Sequence, residues 1–256
     1  MMNKRFVWAV FAGLAFLAVS TLGGCRTAAP SQEAASPAAV ETRVEARLDK
    51  LSAASGGAVQ VTVAGKTVTL TGTVRTLADK VQAGEEAAAA ARGYEVVNDL
   101  ELTKTDLTLQ QIAESVFTAI EKSPDYGIYD YVGVLVRGGG EAVLKGWVYY
   151  PRNATKFLKL AEARPGVTKV TNEIRPELMS VEDKALRLQV ARLIYVRPKT
   201  STFPRMTGNI HILVENGVVT LAGTVKNEEE VASYERLVHF NTNAVRIINL
   251  LRAREE

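Results

Sequence analysis

The chain has 256 residues, with 31 Lys and Arg against 28 Asp and Glu, 47% apolar and 7% aromatic residues, two histidines and a single cysteine. One cysteine excludes an intrachain disulfide and a cysteine-based metal cluster. A formal charge of +3 excludes the strong positive field of a general nucleic-acid binder, and apolar content with so few aromatics suits small cores.

Lys4 and Arg5 precede an apolar run from Phe6 to Val19, which ends in Ser20-Thr-Leu22-Gly-Gly24-Cys25. A charged start, an apolar centre and a small-residue end form an export signal over residues 1–24. The run is shorter than the roughly 20 apolar residues of a permanent transmembrane helix. Leu22-Gly-Gly24-Cys25 resembles the bacterial lipobox, which implies cleavage before Cys25 and its acylation, as with palmitate. Ordinary secretory cleavage is the alternative, but Cys25 is the only cysteine and stands where a lipobox requires one. Two or three acyl chains hold a membrane far more firmly than one, at about 0.8 kcal/mol per buried methylene. Arg26 replaces the Asp that retains enterobacterial lipoproteins in the inner membrane, which implies an outer-membrane anchor facing the periplasm. Lys4 and Arg5 leave with the leader, so 29 basic residues then face 28 acidic ones. Residues 25–39 are the lipidated Cys and a tether of Ala, Pro and Ser, spanning about 45 Å when extended.

Three units follow, over 40–104, 105–178 and 179–256. In the first, Val44, Leu48 and Leu51 give a helix over Val40 to Leu51. Val59 to Val63 and Val68 to Val74 are strands about the Ala64-Gly65-Lys66 turn. Thr76 and Asp79 are a capping box for a helix through five alanines to Ala91, and Glu95 to Leu102 is the closing strand. The second unit has a helix capped by Thr108 and Gln111, strands Val132 to Val136 and Ala142 to Val148 about Gly138-Gly-Gly140, a helix from Pro151, and a strand from Val167 to Ile174. The third has a helix over Val181 to Val196, strands Ile210 to Val214 and Val218 to Val225 about Asn216-Gly217, a helix from Asn227 to Phe240, and a strand from Ala244 to Leu251.

The order α-β-β-α-β thus occurs three times. Val68-Thr-Leu70-Thr-Gly72-Thr-Val74, Ala142-Val-Leu144-Lys-Gly146-Trp-Val148 and Val219-Thr-Leu221-Ala-Gly223-Thr-Val225 all alternate with period two. Each glycine stands where a side chain meets a packed helix or a neighbouring backbone. From these glycines to Asn98, Asn172 and Asn249 is 26 residues in every copy. A hairpin followed by a right-handed crossover makes each unit a two-layer α+β domain, a three-stranded mixed sheet with two helices on one face. Gly217-Val-Val-Thr-Leu-Ala-Gly-Thr-Val225 and the Val-x-Asn strands resemble the BON family of periplasmic proteins and outer-membrane lipoproteins. The resemblance covers nearly all of the chain after Cys25. It implies a non-enzymatic role, association with anionic phospholipid or envelope proteins in support of membrane integrity and tolerance of osmotic stress.

The residues themselves point away from catalysis. Gly138-Gly-Gly140 joins two strands and opens no helix, so it is a turn and not a phosphate cradle. His211 and His239 have no companion at metal-ligand spacing, and His211 is expected on the surface. Glu228, Glu229 and Glu230 begin a helix, where carboxylates suit the dipole. No catalytic constellation, metal site or cofactor is expected.

Two surfaces are candidates for binding. Strand parity puts Thr67, Thr69, Thr71 and Thr73 on the outer sheet face of the first unit, and Val143, Lys145, Trp147 and Tyr149 on that of the second. Val143, Trp147 and Tyr149 make an apolar strip, either a contact surface for an envelope protein or another copy, or packing between units of this chain. On the first helix of the third unit, Leu186, Val190, Leu193 and Ile194 face the sheet, while Lys184, Leu188, Arg192 and Tyr195 gather on another side. With Arg187, Arg197 and Lys199 these are candidates for contact with anionic lipid; the alternative is that Leu188 and Tyr195 pack against the second unit. Phe203 and Arg205 continue the basic segment.

Overall fold

The computed structural model describes residues 36–55, 57–196 and 209–254; Cys25, Arg197, Lys199, Phe203 and Arg205 lie outside them. The first unit is α1 (Pro37–Ser55), β1 (Ala58–Ala64), β2 (Thr67–Val74), α2 (Leu77–Ala90), β3 (Glu95–Asn98) and β4 (Glu101–Leu102). The second is α3 (Leu109–Glu121), β5 (Tyr131–Arg137), β6 (Glu141–Val148), α4 (Pro151–Glu162) and β7 (Lys169–Pro176). The third is α5 (Val181–Tyr195), β8 (Asn209–Glu215), β9 (Val218–Val225), α6 (Glu228–Asn241) and β10 (Arg246–Ala253).

In every unit the hairpin is antiparallel and the strand after the crossover helix returns parallel to the central strand. The sheets run β1-β2-β3, β5-β6-β7 and β10-β9-β8, so the fold expected from the alternation is the fold observed. The closing strand of the first unit is interrupted at Asp99 and Leu100 without a change of register, and Leu100 is buried there. Gly138–Gly140 forms one tight turn, with Gly139 and Gly140 at positive φ, and opens no longer helix.

Helix starts follow their caps. Thr76 with Asp79 and Thr108 with Gln111 form complete capping boxes, and Asn227 accepts from the Glu230 N–H at 2.9 Å. α1 begins earlier than its apolar spacing suggests. Ser36 accepts from the N–H of Val40 (3.0 Å), and Pro37 occupies the first helical position, where a missing N–H costs nothing. Residues 37–39, read as the end of the tether, therefore form the first turn of α1.

Each unit has its own core. Val40, Val44 and Leu48 close over Val68, Leu70 and Val74, with Ala83 and Ala87 of α2 allowing close helix approach. Ile112, Val116 and Ile120 meet Leu144, Val148 and Phe157 in the second unit. Leu186 and Val190 meet Ile212, Leu221 and Tyr234 in the third, with Leu193 and Ile194 half-buried against the same cluster.

The repeated Gly and Asn have separate duties. Gly72, Gly146 and Gly223 have φ of 117°, 145° and 124°. A Cβ at Gly72 or Gly146 would collide with the carbonyl of Ala58 or Tyr131 on the paired strand, so the close neighbour is backbone rather than helix. Asn98, Asn172 and Asn249 each donate a side-chain N–H to the helix carbonyl 18 residues earlier, that of Lys80 (2.7 Å), Ala154 (3.1 Å) and Val231 (3.0 Å). Each also accepts from the N–H two residues on, those of Leu100, Ile174 and Leu251. One amide thus ties the crossover helix to the strand it delivers.

Removing that tie leaves the Leu251 N–H without its acceptor and takes the second donor from the Val231 carbonyl, which keeps its intrahelical bond. Asn249→Ala should destabilise the third unit by about 1–3 kcal/mol in chemical denaturation, and a loss within error of zero would show the clamp to be dispensable.

Candidate functional site

The Val143, Trp147 and Tyr149 strip lies inside the chain rather than on an open face. Val143 is 4% exposed, Trp147 9% exposed and Tyr149 half-buried. Tyr131 stacks on Trp147 with centroids 5.1 Å apart, and His211 of the third unit lies 5.5 Å from Tyr131 and 5.1 Å from Tyr126. The strip is therefore not free to take an external partner while the second and third units remain joined; packing within the chain is the arrangement found.

This joint seals the outer edge of β8. The Ile212 N–H donates to the Ile128 carbonyl (2.8 Å), the Val214 N–H donates to Glu177 (3.0 Å), and the Tyr195 hydroxyl donates to the Ile210 carbonyl. Glu177 follows β7, and Arg187 of α5 meets it at 2.8 Å with both side chains almost fully buried. The Arg187 guanidinium lies over the rings of Tyr129 and Tyr149, at 4.1 and 4.2 Å. Two aromatic faces compensate a desolvated cation whose buried Nε has no hydrogen-bond partner. Arg187 is thus a structural residue of the joint and cannot reach a bilayer, contrary to the sequence expectation; its position on the helix gave no sign of the tyrosines waiting opposite.

His211 is also misplaced by sequence reasoning. It is 4% exposed, and its Nδ1–H donates to the Gly127 carbonyl at 3.2 Å. Alternation put it on the outer face correctly; the second unit covers that face.

On the solvent side of α5, Lys184 and Arg192 are exposed, Leu188 is 48% exposed and Tyr195 is 43% exposed. Tyr195 is anchored through its hydroxyl to the Ile210 carbonyl of β8; burial, and beyond it the neighbouring Tyr129 of the second unit, raise its pKa against that hydrogen bond. Val181, 77% exposed, falls on the same line, since residues 181, 184, 188, 192 and 195 lie within about 80° of one another at 100° per residue. Sequence reading missed Val181, although its heptad spacing to Leu188 and Tyr195 was there to find. Asp183 takes no part in this face. Burial disfavours its charge, but N–H groups of Gly217, Asn216 and Ser180 and the Ser180 hydroxyl outweigh that and hold its carboxyl below the usual range.

A BON domain model matches residues 36–104, 108–175 and 201–255. The chain belongs to the BON family. The third BON match begins after α5, so α5 and its solvent face fall outside the matched residues. No curated protein matches the chain. Among solved structures with some similarity are two of a secretion-system protein. One is described as CdsD, a structural protein of the type III secretion system of Chlamydia trachomatis, at 15% identity, 84% of this chain, 92% of that one and a TM-score of 0.25. The other, the C-terminal domain of CdsD, has 13% identity, 84% and 96% coverage and a TM-score of 0.24. Similarity this low supports no argument about the BON protein.

Two predictions concern the joint. Arg187→Ala leaves Glu177 buried and unpaired and should cost roughly 3–5 kcal/mol; Glu177→Leu with Arg187→Met should cost clearly less, and equal losses would deny the pair its role. The second is a pH effect. Burial holds His211 below its ordinary 6.5, against the opposing Gly127 and Asp130 carbonyls and the charges of Asp130 and Glu121. The folded chain keeps the ring neutral, so this stabilisation is whole above about pH 6.5 and is lost as pH falls through the depressed value. Glu177 acts oppositely. Burial, working against the Val214 N–H and Arg187, raises its pKa, so its contribution is whole below the ordinary 4.5 and lost as pH rises. Comparing wild type with His211→Gln isolates the histidine: the variant should lose less stability on acidification below pH 6.5, read by Trp147 fluorescence. Parallel profiles would exclude it.

Proposed function

We propose that this protein is a non-enzymatic envelope lipoprotein that reads anionic phospholipid. Cys25 anchors it, facing the periplasm from the outer membrane, and the solvent face of α5 meets the headgroups, in support of envelope integrity under osmotic stress. The observation that carries this reading is the exposed line of Val181, Lys184, Leu188, Arg192 and Tyr195, apolar groups interleaved with cations on one face of α5, with the Tyr195 hydroxyl also tied to the Ile210 carbonyl. Such a face enters the headgroup boundary with its apolar groups while its cations meet phosphate. Each near-surface cation contributes on the order of 1 kcal/mol on anionic lipid. Arg197 and Lys199 extend the basic character along the sequence. The family context agrees, since BON domains are associated with phospholipid and the envelope, and no described helix is long and apolar enough to cross a membrane.

An enzymatic reading has little to stand on. A cleft of about 520 Å³ opens beside the start of α5, lined by Ser180, Glu182, Asp183, Gln189 and Asn243 among others. Its buried carboxylate, Asp183, is already committed to the N–H groups of Asn216 and Gly217, and none of the described residues lining it is a His, Lys or Cys that could pair with Glu182. A scaffold for envelope proteins is the second reading; it loses the Trp147 strip, which the joint occupies.

Vesicles of phosphatidylglycerol and of phosphatidylcholine, titrated with the mature chain carrying Cys25→Ser, test the lipid reading. Binding should be confined to the anionic vesicles and weaken with salt. Lys184→Glu with Arg192→Glu should reduce it more than tenfold with an unchanged melting temperature, because both side chains are exposed. Unchanged binding would remove α5 as the site. Separately, Cys25→Ser should release the protein from membrane fractions; an unacylated N-terminus in mass spectrometry of the wild type would end the anchor reading.

A further inference from the structure

A strand at the edge of a sheet presents unpaired N–H and C=O groups to any extended chain, and proteins guard against this with charges, proline or a covering segment. The three sheets have six edges, and five carry such guards. β3 begins with Glu95, β5 ends with Arg137, β7 carries Lys169 and Pro176, β10 begins with Arg246, and β8 is sealed by the joint. β1 has neither charge nor proline. Its seven residues read Ala58-Val-Gln-Val-Thr-Val-Ala64, a composition with strong strand preference.

The register identifies the free groups. Val59 pairs with Gly72 as Val132 pairs with Gly146 and Ile210 with Gly223. In the other two units the N–H groups at this parity point away from the hairpin partner: Val132 reaches Tyr126, and Ile212 and Val214 reach the joint. The N–H and C=O groups of Val59, Val61 and Val63 therefore point off the β1 edge. Among the described residues nothing hydrogen-bonds to them there.

The strand is also nearly its own reverse. About Val61, Ala58 mirrors Ala64, Val59 mirrors Val63 and Gln60 mirrors Thr62. Antiparallel pairing of a strand with a second copy of itself about a two-fold axis sets residue i opposite such a mirror residue. We propose that β1 pairs with β1 of a second copy about an axis at Val61, joining the two first-unit sheets into one. Val61 then exchanges both backbone bonds with its equivalent, and Val59 does so with Val63 of the second copy. The half-buried Val59 and Val63 gain cover on the core face, while Gln60 meets Thr62 on the outer face, where both are exposed.

One electrostatic cost comes with this arrangement. Arg43 and Arg47 turn toward α2, reaching the Ala90 carbonyl and Glu86. That places Glu41 and Glu45, one position past the buried Val40 and Val44, on the opposite flank of α1, beside the β1 edge. Two copies bring these carboxylates toward one another, so salt should strengthen the pairing by screening them.

The mature chain carrying Cys25→Ser serves for the test, so that an introduced cysteine is the sole one. Mixing Gln60→Cys with Thr62→Cys should give a disulfide-linked dimer under mild oxidation, because those positions face each other across the axis. Either variant alone should cross-link far less. Sedimentation should show twice the monomer mass, rising in population with salt, and Gln60→Lys with Thr62→Lys should return the protein to monomer without loss of thermal stability. A monomer at all concentrations, a dimer that survives the lysines, one that salt dissolves, or equal cross-linking in the single variants would each overturn the proposal. None of these outcomes depends on lipid binding.

Discussion

The fold depends on one amide per unit. A strand, a crossover helix and a parallel strand must return in a fixed register, and hydrophobic packing alone tolerates sliding. Asn98, Asn172 and Asn249 restrict that freedom: Asn98 and Asn249 are half-buried and Asn172 is exposed, and each amide meets both of its partners in the observed register. Its N–H finds a helix carbonyl 18 residues back and its oxygen finds a strand N–H two residues on. The matched pairs Leu70 with Asn98, Leu144 with Asn172 and Leu221 with Asn249 show the same offset in all three units. The neighbouring glycines serve the hairpin side, letting the central strand approach Ala58 and Tyr131 closely.

What the units share is the inner layer; their outer faces differ. The first unit presents threonines, half-buried or exposed. The second presents aromatic rings that close against the third, with Arg187 and Glu177 buried between them. A charge pair so thoroughly desolvated adds little to stability compared with apolar replacements, but breaking it is severe. It fixes how the third unit docks, since Glu177 also holds the Val214 N–H at the β8 edge. The same joint that buries His211 also closes the β8 edge.

α5 works on three sides. Leu186 and Val190 enter the core, Arg187 enters the joint, and Val181, Lys184, Leu188, Arg192 and Tyr195 face outward. Its low overall amphipathicity follows from this division, as a helix with a second, polar burial on one flank cannot show a single apolar stripe. None of its outward residues belongs to the core cluster of the third unit, although Tyr195 also holds the Ile210 carbonyl.

The sequence by itself determined the units, their element order, the caps, and the two glycine and asparagine positions. All of these are local or periodic, set by alternation, spacing and turn chemistry that each unit repeats. It also determined Lys184, Leu188 and Arg192 as one face of a helix, since helical geometry needs no partner to be known. Only the tertiary structure decided that Arg187 is withdrawn from that face, that His211 is covered and that the Trp147 strip is occupied. These turn on which unit meets which, and at what angle. Docking is a matter of shape and of pairs such as Glu177 with Arg187 and Ile128 with Ile212, whose members stand in different units and carry no shared period along the chain.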